Sequence, residues 1–133
     1  MLRKLSVSSS RRKEMIDITP LVQEAVGRSG VEDGLCQVYC PHTTAGIVVN
    51  EGVDPDVQAD LLNALGRLAP AEGSYAHGEG NADAHIQAVL AGPGVLLPVD
   101  EGRLALGTWQ KVFFCEFDGP RRREVWLQLL KQE

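Results

Sequence analysis

Between residues 95 and 130, four apolar segments (95–99, 103–107, 111–117 and 125–130) follow one another with only turns between them. No stretch of helical length intervenes, so these strands can pair only through hairpins and short returns. Such connections make antiparallel sheet, because a parallel partner needs a crossover of a dozen residues or more. A regular alternation of strands and helices is thereby excluded. The expected class is α+β: a single compact domain, mainly antiparallel sheets or a sandwich, with about three helices.

The first half supplies the helices. Residues 2–9 alternate as an edge strand, 11–13 mark an exposed turn, and 14–18 resume the alternation. Thr19-Pro20 reads as a cap followed by a first-turn proline, with Leu21, Val22, Ala25 and Val26 as the apolar stripe and Gly30 as the stop. Residues 34–40 form a strand broken by Pro41, and 46–50 a strand apolar enough to be central. Asp54-Pro55 repeats the helix start, and Val57, Leu61, Leu65 and Leu68 recur at helical spacing. Residues 70–80 are a polar loop. Asn81 or Asp83 then caps a third helix that runs to about Leu90, before Gly92-Pro93-Gly94.

A chain of 133 residues suits one domain and can bury a core without disulfides or a structural metal. The net charge of −5 argues against nucleic acid or an anionic membrane as partner. Three cysteines cannot all pair, and residues 1–7 lack a continuous apolar stretch, so a reducing, cytoplasmic setting is expected. Cys36 and Cys40, at i and i+4, read as small core residues.

The chemistry concentrates in polar, small-residue stretches that hold every histidine: His42 in 41–46, and His77 and His85 in 77–85. Three neutral imidazoles with an open position are the ligand count of a catalytic zinc site. Each also has a plainer reading, as a solvated loop residue. Thr43 and Thr44, with the amides around Gly46, suggest a concavity for an anion. Glu51 reads as a site carboxylate beside Asn50, while Asp54, Asp56 and Asp60 suit a helix N-terminus. Glu116 and Asp118 share one side of a strand. Arg121 and Arg123 present guanidinium forks suited to phosphate.

In this order the segments His-Thr-Thr-Ala-Gly (42–46), Asn-Glu-Gly-x-Asp-Pro-Asp-Val (50–57), Glu-Gly-Asn-Ala-x-Ala-His-Ile (79–86), Gly-x-Leu-x-Leu-Gly-Thr-Trp-Gln (102–110) and Glu-Phe-Asp-Gly-Pro-Arg-x-Arg (116–123) span nearly the whole chain. They resemble the YjbQ-type family, labelled secondary thiamine-phosphate synthase enzyme. The resemblance implies a compact α+β homotrimer with weak thiamine-phosphate synthase activity. It also implies a metal cluster of His42, His77 and His85, with Asn50, Glu51, Asn81, Glu116 and Arg121 around it.

The expectation is a metal-dependent enzyme acting on a small phosphorylated substrate. Arg121 or Arg123 would clamp phosphate, Thr43, Thr44, Asn50 and Asn81 would line the substrate, and Glu51 or Glu116 would manage protons. Imidazole ligands favour Zn²⁺, whereas pyrophosphate departure ordinarily uses Mg²⁺ on oxygen ligands. That mismatch keeps a metal-dependent phosphohydrolase open as the alternative. A non-catalytic module binding metal or phosphometabolite is the third reading.

Overall fold

In the computed structural model, which describes residues 2–133, β7 (Gln110–Glu116) lies at the centre of the packing. Residues 112–117 are all buried, because β7 has elements on both faces. It is the middle strand of a three-stranded sheet in the order β2-β7-β4, with β2 at Glu14–Asp17 and β4 at Ala45–Glu51. A five-stranded sheet faces it, ordered β1-β8-β3-β5-β6. Its members are β1 Leu2–Ser8, β3 Gly34–Tyr39, β5 Gly94–Asp100, β6 Arg103–Leu104 and β8 Arg122–Lys131. Every pairing is antiparallel.

Strand parity sorts the core into two layers. Val112 and Phe114 point between the sheets, where they join Ile47, Val38, Leu97, Val125 and Leu127. Helix α1 (Thr19–Ser29) adds Val22, Ala25 and Val26 to this layer. Phe113, Cys115 and Phe117 point the other way, onto Leu62 and Leu65 of α2 (Pro55–Leu68) and Ala84, Ala88 and Ala91 of α3 (Ala82–Ala91). Glu116 has the parity of Phe114, which sends a carboxylate into the inter-sheet layer at its open end. Arg123, of the same inward parity as Val125 on β8, meets it there.

Several local expectations are corrected. β4 is an edge strand rather than a central one; α3 packs beside it, and Ile47 N donates to Gly92 O. Gly46 is the close-approach point, since a Cβ there would lie 2.7 Å from Gly92 O. Thr19 is the first residue of α1 rather than its cap; its Oγ1 instead accepts a bond from Val112 N at 2.7 Å, tying the helix to β7. Asp54 caps α2 as expected, accepting from Asp56 N. Asn81 occupies the cap position of α3 without making the capping bond. β6 shrinks to two residues, whereas β8 starts at Arg122, earlier than its apolar pattern indicates. Cys36, Cys40 and Cys115 are buried and free.

Candidate functional site

The loop before α3 and the first turn of that helix bring two histidines together. The His77 and His85 rings lie edge to face with centroids 5.2 Å apart. Two zinc-bound imidazoles meet nearly this separation. A Zn–N bond of about 2.1 Å plus a ring half-width of about 1.1 Å puts each centroid about 3.2 Å from the ion, and a tetrahedral angle then separates the centroids by about 5.2 Å. The centroid separation thus equals that of two imidazoles on one cation, and it is also that of an ordinary edge-to-face ring pair. Among the described residues, no three His, Cys, Asp or Glu side chains converge on one such centre.

His42 follows β3 and lines a recess of about 350 Å³ together with Thr43, Ala45, His85, Ala88, Val89 and Pro93. Its Nε2 accepts the Glu124 amide at 2.9 Å, and its ring abuts Phe114 edge-on. An imidazole whose Nε2 lone pair is so engaged carries its proton on Nδ1 when neutral, and so presents a donor rather than a ligand atom. Burial, and next the Arg123 charge, push its pKa below the usual histidine value, which favours that neutral ring. His42 and His85 thus line one recess, and among the described residues the three imidazoles form no single metal-binding cluster.

Near His42 lies a buried ion pair. Glu116 is 0% exposed and Arg123 4%. Arg123 Nε donates to Glu116 Oε1 at 2.9 Å, and its Nη2 donates to Glu116 Oε2 and to Thr44 Oγ1. Ser9 Oγ and the Asp118 amide donate to the same carboxylate. Burial alone would raise the Glu116 pKa, but the Arg123 and Ser9 bonds outweigh it and hold the group below the usual range. Glu116, Arg123 and Thr44 are therefore bound chiefly to one another. The Arg123 fork, expected to clamp phosphate, and the Glu116 carboxylate, expected to carry protons, are engaged with each other in this structure.

Arg121 is different. It is exposed, donating through Nε to Asp118 O and through Nη2 to Asp118 Oδ2, with the rest of its fork turned outward. Asn81 links this corner to the histidines: its Nδ2 donates to Asp118 Oδ2 at 2.9 Å, and its Oδ1 lies 3.0 Å from His77 Nε2. Asn50 and Glu51 lie elsewhere. Ala45 pairs with Glu116 at one end of β4 and Glu51 with Gln110 at the other, about 20 Å away along the strand. There Glu51 accepts the Asp54 amide and its carbonyl accepts Gln58 Nε2. Within this chain, then, Asn50 and Glu51 are not brought to the histidine end. Nor is a concavity formed at Gly46, which is packed under Gly92 and Ala91; Thr43 alone of that segment is exposed on the recess.

Residues read as an exposed turn prove to anchor the site. Arg12 grips Asp83 with two bonds, and Lys13 Nζ bridges Asp83 Oδ2 at 2.7 Å and Gln87 Oε1 at 2.6 Å. Asp83 is 1% exposed. Burial would raise its pKa, yet the two cationic partners hold it well below the usual carboxylate range. Arg12 also comes within 3.9 Å of Asp118. The i,i+4 spacing of Asp83 and Gln87 on one helix face was the available signal; the basic triplet that answers it is remote in sequence.

Comparison with known proteins settles the kinship. The family described as UPF0047 protein YjbQ-like matches residues 3–132. The chain belongs to the YjbQ-like UPF0047 family. A UPF0047 relative, YugU of Bacillus subtilis, is 44% identical over 131 residues, covering 98% of this chain and 99% of the relative. The UPF0047 protein MJ1081 of Methanocaldococcus jannaschii is 45% identical over 130 residues, covering 98% and 94%. A crystal structure of an uncharacterised YjbQ/UPF0047 protein from Clostridium acetobutylicum superposes with a TM-score of 0.94 at 48% identity, over 96% of this chain and 99% of that one. A YbjQ-like protein of unknown function from Sulfolobus solfataricus gives 0.94 at 35% identity, over 99% and 97%. The sandwich with three helices is thus the YjbQ-like fold.

Proposed function

We propose that this chain is a divalent-metal-dependent enzyme acting on a small phosphorylated molecule, with Zn²⁺ as the ion and His77 and His85 as its protein ligands. The observation that carries this reading is the 5.2 Å separation of those two rings beside an open recess. A bound divalent cation supplies Lewis-acid stabilisation of charge developing on a phosphoryl oxygen. The chain's own groups do the rest. Arg121, exposed at the rim, pairs with the substrate phosphate through the outward part of its fork. His42, held by the Glu124 amide, offers an N–H donor at the same recess. Thr43 adds a hydroxyl. Arg123 and Glu116 hold the Thr44 turn, and with it His42, in place.

The family resemblance directs this chemistry toward pyrimidine–thiazole coupling with release of pyrophosphate. The imidazole donors support phosphohydrolysis as the second reading, because they suit Zn²⁺ better than Mg²⁺. A homotrimer is part of the proposal: no α2 residue is fully buried, and Leu68 of α2 and Ile86, Val89 and Leu90 of α3 are exposed, apolar side chains suited to contact with another copy. Three buried free thiols support a reducing, cytoplasmic setting.

The test assays Zn²⁺-loaded protein on a panel of phosphate esters and on the pyrimidine diphosphate with the thiazole phosphate. The reading expects turnover on one arm, lost at least about a hundredfold in His85→Ala while the variant stays folded. Zinc binding without turnover on either arm would favour a binding module instead.

A further inference from the structure

We propose that Asp118, acting through Asn81, fixes His77 as its Nε2–H tautomer and so presents Nδ1 as its ligand atom. The second half rests on the metal reading above; the first does not. One chain of hydrogen bonds runs from Asp118 to His77, and each link leaves a single choice to the next. Asp118 lies between guanidiniums: Arg121 donates to its Oδ2 at 3.1 Å and to its carbonyl at 2.9 Å, and Arg12 Nε stands 3.9 Å from its Oδ1. A carboxylate in that setting only accepts. The end of the Asn81 amide that meets it at 2.9 Å must therefore be the NH₂ group. The reverse orientation would face two acceptors against each other.

With the amide so oriented, the carbonyl end points at His77 Nε2, 3.0 Å away. A carbonyl cannot donate, so the ring nitrogen must carry the proton. The other group near Nε2, the Glu79 carboxylate at 3.6 Å, is an acceptor as well. A neutral His77 then keeps its lone pair on Nδ1, the arrangement by which an outer partner sets the coordinating atom of a metal-bound imidazole. One independent observation supports a dedicated role for Asn81. It holds the cap position of α3, where asparagine ordinarily bonds the first-turn amides, yet its side chain makes no capping bond. The amide is turned outward, to His77 and Asp118. Asn81 and Asp118 are positioning residues on this account.

The full chain, freed of metal with chelator and carrying ¹⁵N-labelled histidine, is studied at pH 8 by long-range ¹H–¹⁵N correlation, which distinguishes the two tautomers directly. The wild type should show His77 overwhelmingly as Nε2–H. Asp118→Asn, which lets the Asn81 amide take either orientation, should move the tautomer ratio severalfold toward a mixture, with amide signals of the sheets unchanged. Asn81→Ala should do the same and serves if the first variant is poorly folded. Addition of Zn²⁺ alone should then shift His77 Nδ1. A wild-type Nδ1–H tautomer, or a ratio unmoved in both variants, would overturn the relay. Zinc contacting Nε2 would overturn the assignment of the ligand atom. Failure of Zn²⁺ to shift any imidazole would count against the metal reading and, with it, the ligand-atom half, while the metal-free spectra still decide the tautomer.

Discussion

Glu116 is a carboxylate sealed from water with Arg123, Ser9 and the Asp118 amide all donating to it. Removing one partner of such a pair leaves a buried charge without compensation, which costs about 3–5 kcal/mol. Glu116→Gln should therefore lower stability at pH 7 by roughly that amount, measured by urea unfolding. The folded pKa is depressed, so the stabilisation is present above the unfolded value of about 4 and is lost as pH falls through the folded value. The gap between wild type and variant should accordingly narrow below about pH 4; a gap constant down to pH 2 would contradict the account. At this scale the sequence showed that Glu116 and Arg123 belong to the centre of things, but not that they satisfy each other. Charge type is legible in a sequence. Which side of a strand closes over it depends on the partner sheet. The thiols obey the same rule: burial pushes Cys36 up to about 11 and Cys115 up to about 12. Native protein at pH 8 should react with a thiol reagent only as fast as it opens, and rapid labelling of either cysteine would refute their core placement.

At the scale of elements, apolar spacing located the strands and the first two helices, and cap and breaker residues located the third, because these are local properties. Register and neighbours are not local, which is why β4 was expected at the centre of a sheet and lies at an edge. Its composition is that of a buried strand because α3 covers one face and the sandwich core the other. Gly46 allows that approach, and Gly46→Ala forces the α3 end away from β4. The expected loss is about 1–3 kcal/mol by thermal or urea unfolding; a neutral effect would mean that the contact is loose. The Arg12–Asp83–Lys13 anchor, drawn from a turn that looked merely solvated, pins the first turn of α3 against the β1–β2 loop. Asp83→Asn should speed hydrogen exchange of α3 amides, and of His85 with them, more than that of β7. Uniform acceleration would assign the anchor to global stability instead.

For the whole molecule, the α+β antiparallel class and family membership were legible in the chain from its hairpin-rich half and its motifs. The convergence of His77 and His85 follows from a loop, 70–80, that carries no periodic signal of its own. His42 was harder still: its motif gave the residue, but the amide that takes its Nε2 belongs to a strand eighty residues on. In the proposed trimer, the exposed apolar residues of α2 and α3 would pack against further copies of the chain. Val89→Lys should then convert a trimer to smaller species in sedimentation, and a wild type that sediments as a monomer would remove that part. The most direct test of the central claim is the metal content of tag-free protein purified without chelator and exposed to Zn²⁺, then dialysed. The account predicts close to one zinc per chain, lost in both His77→Ala and His85→Ala. Zinc retained at the same level in both variants, or absent from the wild type, would contradict it.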